Sequence, residues 1–277
     1  VVSAKALKDG LRTAGFYGLV ILVMLPTAFV FYWMITLSLK PQVEATAFPP
    51  RFFWFSVTFK GYVDVFAKNP FLLYTWNSLV VALGCTVLGL ATGLPAAYSI
   101  ARWRQRGLAL TILVARIVPG ISYLIPWYIL FRRVGMVDTY QALILTHLVV
   151  GLPIIIWVMI GFFEDIPPEL EDAALIDGCS YYGAFWRVAL PLVKPGIMAT
   201  SILSFIFSWN NFLFSVILAG RNTRTLPIAV FNMIGYEEIN WGPLAAAATL
   251  ITLPVILLTL LVQRHIVTGL TFGAVKG

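Results

Sequence analysis

Apolar residues in this chain come in runs, and several of the runs reach about 20 residues, the length that crosses a hydrocarbon core of roughly 30 Å as a helix. Short connections rich in charged residues, Pro and Gly separate them. The pattern predicts six spans, at residues 15–39, 71–101, 107–131, 139–163, 195–220 and 243–263, with a polar loop at 164–194. Backbone N–H and C=O groups find no water in lipid, so helix is the conformation open to each run. Pro26, Pro95, Pro119, Pro126, Pro153 and Pro254 lie inside spans and predict kinks, because proline removes a ladder donor. The expected fold is an all-α integral membrane protein of about six transmembrane helices, forming a single transmembrane domain over residues 1–277.

Composition excludes the soluble alternative. Hydrophobic residues make up 60% of the chain and charged ones 11%, against roughly 25% charged in soluble domains, and the mean hydropathy is +0.90. The net charge of +7 does not point to nucleic acid, since the basic residues are scattered through the connections, as membrane-flanking Lys and Arg are. One side collects Lys5, Lys8, Arg12, Arg102, Arg104, Arg106, Arg187, Lys194, Arg264 and Lys276. The other collects Lys40, Arg51, Lys60, Lys68, Arg132, Arg133, Arg221 and Arg224. The "ARWRQR" connection favours the first side, with both termini, as cytoplasmic. Cys85 and Cys179 form no CxxC pair and suggest neither a disulfide framework nor a metal site. The first run is too long for a cleavable signal and lacks a small-residue cleavage site. The aromatic connection between Lys40 and Pro70 is expected at the headgroup level.

Acidity is concentrated. Six of the twelve Asp and Glu residues (Glu164, Asp165, Glu169, Glu171, Asp172, Asp177) fall within fourteen residues. Pro167 and Pro168 suit a helix start, Glu169, Glu171 and Asp172 sit where the helix dipole favours anions, and Gly178 suits a left-handed cap. Leu170, Ala173 and Ala174 share one low-profile face. After the glycine, Tyr182, Phe185, Trp186 and Ala189 predict a bulkier stripe that anchors the segment to the bundle. Physical reasoning alone leaves two readings: a plug for a groove in another protein, or a connector lying on its own chain.

The segment resembles the EAA loop, patterned E-A-A-x3-G-x9-I-x-L-P, of the membrane subunits of bacterial ABC importers. Here it reads Asp172-Ala173-Ala174, Gly178, Val188, Leu190-Pro191, with Asp for Glu and Val for Ile as conservative departures. "SLKP" (38–41), "NSLVVA" (77–82), "WNNF" (209–212) and "QRHIVTGLTFGAVKG" (263–277) resemble the carbohydrate-uptake class, of maltose-transporter type. That resemblance implies a permease in a bacterial inner membrane. Its implied partners are a second permease subunit of different sequence, two ATPase subunits and an extracytoplasmic solute-binding protein. It implies that Glu169, Glu171, Asp172, Ala173, Ala174, Asp177, Gly178, Leu190 and Pro191 make a coupling helix seated on the ATPase.

The chain itself is not expected to be an enzyme or to hold a cofactor. It contains no Gly-Lys dipeptide, so no G-x-x-x-x-G-K-[ST] phosphate cradle exists, and ATP with Mg belongs to the partner ATPase subunits. His147 and His265 lie in no catalytic motif; His147 is expected to be packed or hydrogen-bonded, His265 interfacial. Arg116 stands about ten residues, roughly 15 Å, into its span, and the six spans contain no Asp or Glu to pair with it. It either meets carbonyls or a carboxylate across a subunit interface, or lines the path for an acidic saccharide, whose carboxylate or phosphate its planar fork can grip. Tyr74, Asn77, Trp209, Asn210 and Asn211 are the further candidates for the translocation path, although amides also join transmembrane helices. A stand-alone secondary transporter or channel would be expected to carry intramembrane acids or an inverted repeat; neither is evident.

Overall fold

The computed structural model describes residues 4–234 and 239–271, with side chains over 12–234 and 239–261. The motif at 263–277, His265, and Lys5, Lys8, Arg264 and Lys276 of the charge count therefore fall outside the residues whose side chains are described. Among the described residues four helices are long and apolar enough to cross a membrane, and two bent helix pairs raise the number to six. The chain divides into two compact units.

The first unit comprises Val1–Asn69 and Asn232–Thr252, with helices α1 (Ala4–Ser38), α2 (Gln42–Ala45) and α3 (Lys60–Lys68). Residues 12–31 of α1 are exposed on every face, so this stretch presents its whole circumference to lipid or to another chain. Beyond it the aromatic connection folds back on the helix. Phe52 lies 5.3 Å from Trp33 and 6.0 Å from Phe29, ring to ring. The Lys40 ammonium sits 4.3 Å over Trp33 and donates to the Arg51 carbonyl at 2.6 Å. Gly61 permits a close approach, since a Cβ there would stand 2.8 Å from the Gly242 carbonyl oxygen.

The second unit comprises Pro70–Phe231 and Leu253–Gly277. Its helices are α4 (Phe71–Arg102), α5 (Arg106–Ala115), α6 (Leu124–Arg133), α7 (Tyr140–Glu164), α8 (Pro168–Ile176), α9 (Tyr181–Ala184), α10 (Leu190–Leu192), α11 (Lys194–Trp209), α12 (Ser215–Leu218) and α13 (Leu226–Phe231). The last helix, α14 (Trp241–Thr271), contributes residues to both units.

Helices α4 and α7 run parallel, with their N-terminal ends joined by Tyr140 and Asn77 and their C-terminal ends by Tyr98 and Phe163. Small residues set the approach. A Cβ on Gly84 would come within 2.6 Å of Ile144, one on Gly89 within 2.5 Å of Ile155, and one on Gly93 within 2.8 Å of Ile155. Helix α11 packs antiparallel to α7: Thr200 meets Met159 at one end, and Ser208 Oγ lies 2.8 Å from His147 Nδ1 at the other. His147 is fully buried, a packed and hydrogen-bonded residue as its setting in an apolar run predicts.

Two expected spans are not continuous helices. The run at 107–131 breaks between Ala115 and Gly120, and its halves are bent by 79°. Pro119 lacks an amide donor and disfavours helix in the residue before it, which an apolar run cannot reveal by periodicity. The run at 195–220 stops at Trp209, and residues 210–214 are not helical. Its helix is bent by 78° from the preceding Tyr181–Leu192 segment.

Candidate functional site

The acidic segment folds as its punctuation predicts. Pro168 opens α8, Asp177 closes it, and Gly178 takes φ +88. The Gly178 amide donates to the Leu175 carbonyl at 3.0 Å and the Cys179 amide to that of Ala174 at 2.9 Å, a Schellman closure. Ser180 caps α9 by accepting from the Gly183 amide at 3.1 Å. Glu169, Leu170, Asp172, Ala173, Ile176, Asp177 and Gly178 are exposed, Ala174 and Leu190 half-buried, and Pro191 exposed.

Glu171 behaves differently. It is 6% exposed, although its position suggested a carboxylate offered to a partner. Its Oε2 accepts from the Tyr98 hydroxyl at 2.6 Å and from Arg102 Nε at 2.8 Å, and its Oε1 accepts from Arg102 Nε at 2.9 Å and from Nη2. Arg102 also donates through Nη1 to the Ile166 carbonyl at 3.4 Å and lies 5.9 Å over the Tyr98 ring. The sequence reading used Arg102 only to orient the chain; its partner lies 69 residues away, beyond any local signal.

The expected aromatic stripe divides. Phe185 and Ala189 are buried, with Phe185 4.9 Å from Tyr98 and 6.2 Å from Phe163, whereas Tyr182 is 81% exposed and Trp186 66% exposed. The buried side of this segment carries Ala184, Phe185 and Ala189 and leaves Tyr182 and Trp186 on the outer flank; a π turn spans Phe185–Ala189. Exposed Leu170, Ile176, Tyr182 and Trp186 thus leave this end of the unit with outward apolar groups beside Glu169, Asp172 and Asp177.

The six path candidates do not gather at one surface. Asn77 is fully buried: its Nδ2 donates at 2.9 Å to the carbonyls of Asn222 and Arg224, and its Oδ1 accepts from the Tyr140 hydroxyl at 2.7 Å. Tyr74 is buried beneath the Arg224 guanidinium, and Trp209 is buried with its ring stacked 5.6 Å from Phe205. Asn210 and Asn211 lie past the end of α11 rather than on a helix. Asn210 is exposed and donates to the Ile206 carbonyl, and half-buried Asn211 accepts from the Phe214 amide. Arg116 is exposed at the break after α5, and no ion pair joins it to a carboxylate among the described residues.

Sequence reasoning missed one polar cluster. Asp138, at φ +60, accepts through Oδ1 from the Gly220 and Thr223 amides at 2.9 and 3.0 Å and from the Thr223 hydroxyl at 2.7 Å. Its Oδ2 accepts from the amide and side chain of Asn222 at 3.2 and 2.9 Å. Burial pushes the carboxyl pKa up, but the Thr223 hydroxyl and the Asn222, Thr223 and Gly220 amides outweigh it and hold the group below its ordinary value. With Ser78 Oγ accepting from the Leu226 amide at 2.8 Å, this cluster fixes the connection between α12 and α13.

Comparison with known proteins adds three findings. Residues 87–271 match the family described as binding-protein-dependent transport system inner membrane component. The chain is 38% identical over 251 residues to a trehalose transport system permease protein of Mycobacterium tuberculosis, covering 88% of this chain and 91% of the relative. It is 34% identical over 249 residues to a sulfoquinovosyl glycerol transport system permease protein of Agrobacterium fabrum, covering 88% and 87%. In fold it resembles a chain of a bacterial ABC transporter involved in the import of the acidic polysaccharide alginate. The TM-score is 0.76 at 20% identity, over 95% of this chain and 98% of the other.

Proposed function

The chain belongs to the family of binding-protein-dependent transport system inner membrane components, and from that premise we propose how it works. It is a multi-pass permease subunit of an ABC importer for sugars, as its relatives named for trehalose and sulfoquinovosyl glycerol transport support. It forms the path together with a second permease subunit. ATP and Mg are handled by two separate ATPase subunits, and solute arrives on an extracytoplasmic binding protein. Both termini and α8 face the cytoplasm, the side that the "ARWRQR" charges favour.

The observation that carries this reading is the exposed face of α8. Leu170, Ala173 and Ile176 stand outward between acids on a short helix that starts at Pro168 and is closed at Gly178, and the chain beyond it is anchored in the bundle at Phe185 and Ala189. Such an apolar face, with Ile176 86% exposed, suits a groove on another protein. Ala173→Arg places a long cation on it. The expected result is that the ATPase no longer co-purifies and uptake collapses while the permease still inserts in the membrane. Undiminished co-purification, or uptake by vesicles holding this chain alone, overturns the assignment and favours a stand-alone transporter.

A second reading concerns substrate charge. Arg116 is exposed and joined to no carboxylate among the described residues, so it can serve an acidic saccharide. Arg116→Gln then lowers uptake of acidic sugars more than that of neutral ones. An equal fall for both removes the selectivity.

A further inference from the structure

We propose that Arg102 and Glu171 form the joint through which α8 moves α4, so that the ion pair is a transmission element rather than a docking contact. The inference rests on the reading of α8 as the ATPase-facing helix.

Three observations lead to it. Glu171 is the one buried acid among the described residues, and it is turned away from the exposed face that carries Leu170, Ala173 and Ile176. Both of its oxygens are engaged by Arg102 and Tyr98, which sit one turn apart near the C-terminal end of α4. A planar guanidinium held side-on by a carboxylate fixes orientation as well as distance. The third observation is a cavity of about 200 Å³ lined by Tyr98, Arg102, Trp103, Glu171, Leu175 and Tyr181. Part of the gap between α8 and the end of α4 is thus open, and the polar contact crosses it beside the packed Tyr98–Phe185 pair.

Chain connectivity alone ties α8 to α7 and, through α9 and α10, to α11. Helix α4 is separated from α8 by the whole α5–α7 stretch, yet it is the helix that α7 grips along its glycines. A displacement of α8 reaches α7 and α11 through the backbone. Among the described residues the hydrogen bonds from α8 itself to the end of α4 run through Glu171, while Phe185 and Tyr181 beyond it meet the same end at Tyr98 and Trp103. With the pair intact, α4 follows α8 as one body; without it, the push arrives only by way of α7 and the Phe185 contact, and part of it is spent in the bend between α7 and α8.

The test uses the complete transporter in vesicles, with ATP hydrolysis, sugar uptake and subunit stoichiometry measured on the same preparation. For Glu171→Gln the ATPase stays bound and hydrolyses ATP, while sugar moved per ATP falls on the order of tenfold, within the usual range of coupling between sites. Arg102→Lys keeps the charge but loses the fork, and gives a smaller fall in the same ratio. Glu171→Arg combined with Arg102→Glu recovers part of it. Because the ratio is taken per assembled complex, a variant that accumulates poorly is still informative. Uptake per ATP within about twofold of the wild type in both single variants refutes the joint. So does loss of ATPase binding in Glu171→Gln, which makes Glu171 a docking residue after all. The Ala173→Arg result stands apart: if that variant keeps its ATPase, the reading of α8 fails irrespective of the ion pair.

Discussion

Replacing Asp138 by Asn tests whether one carboxylate organises the connection between α12 and α13. Asn tolerates the left-handed φ of +60 that Asp138 adopts, so backbone strain is not changed and the comparison isolates the acceptor. Five donors converge on the carboxylate, three on Oδ1 and two on Oδ2. In the amide, one oxygen becomes an NH2 group, and in its better orientation that group faces both donors of Asn222. The cluster is half-exposed and water can partly replace the lost acceptor, so each mismatched donor costs about 1 kcal/mol and the pair about 2 kcal/mol. That corresponds to about 30-fold in the equilibrium for local opening. The assay is hydrogen exchange at the Gly220, Asn222 and Thr223 amides of the purified complex, with α7 amides as the internal reference. The folded carboxyl pKa lies below its unfolded value of 3.8, so its contribution is complete above the unfolded pKa and is lost as pH falls through the folded one. Protection corrected for intrinsic rate is therefore level from neutral pH down to about 4 and declines below it in the wild type only. Unchanged exchange in Asp138→Asn, or a decline that both proteins share, refutes the assignment.

Three further outcomes follow from packing and polar contacts. Gly93→Val forces a branched side chain against Ile155, whose Cγ2 would lie 2.8 Å from the new Cβ. It costs about 1–3 kcal/mol and lowers the unfolding midpoint in detergent, whereas Gly161→Ala, inside α7 with nothing within 4 Å, keeps the midpoint level or raises it slightly. Asn77→Leu strands the Asn222 and Arg224 carbonyls and lowers stability by about 2–3 kcal/mol. Because Asn77 is sealed from any surface, the ranking of sugars by relative uptake is preserved; a changed ranking contradicts the structural role.

Hydropathy made two helices legible nearly to the residue, α4 and α7, which begin and end within a residue of the runs at 71–101 and 139–163; α1 starts eleven residues before its run and α14 ends eight residues past its own. The punctuation of α8 was equally readable, because Pro168 and Gly178 act through local backbone geometry. What escaped was decided at long range. Asp138 and Asn77 satisfy backbone groups more than eighty residues away in the chain, and nothing near either residue announces its partner. Spacing groups Tyr182 and Trp186 with Phe185 and Ala189, but it cannot say which flank of a broad apolar stripe meets the bundle, and the chain buries the side of Phe185 and Ala189. Asn210 and Asn211 fall inside the run at 195–220, which predicts helix; the run continues past them, but the helix ends at Trp209.

The interruption at residues 116–119 bears on how the chain sits among acyl tails. Just ahead of it the Leu113 and Val114 carbonyls accept from the Arg116 and Ile117 amides at 3.1 and 2.9 Å, and that of Ala115, which would face Pro119 in a continuous helix, accepts from the Tyr123 hydroxyl at 3.4 Å. Hydrocarbon offers no donors of its own, so it is this tightened turn and the Tyr123 hydroxyl that let the chain bend here without leaving those three carbonyls bare.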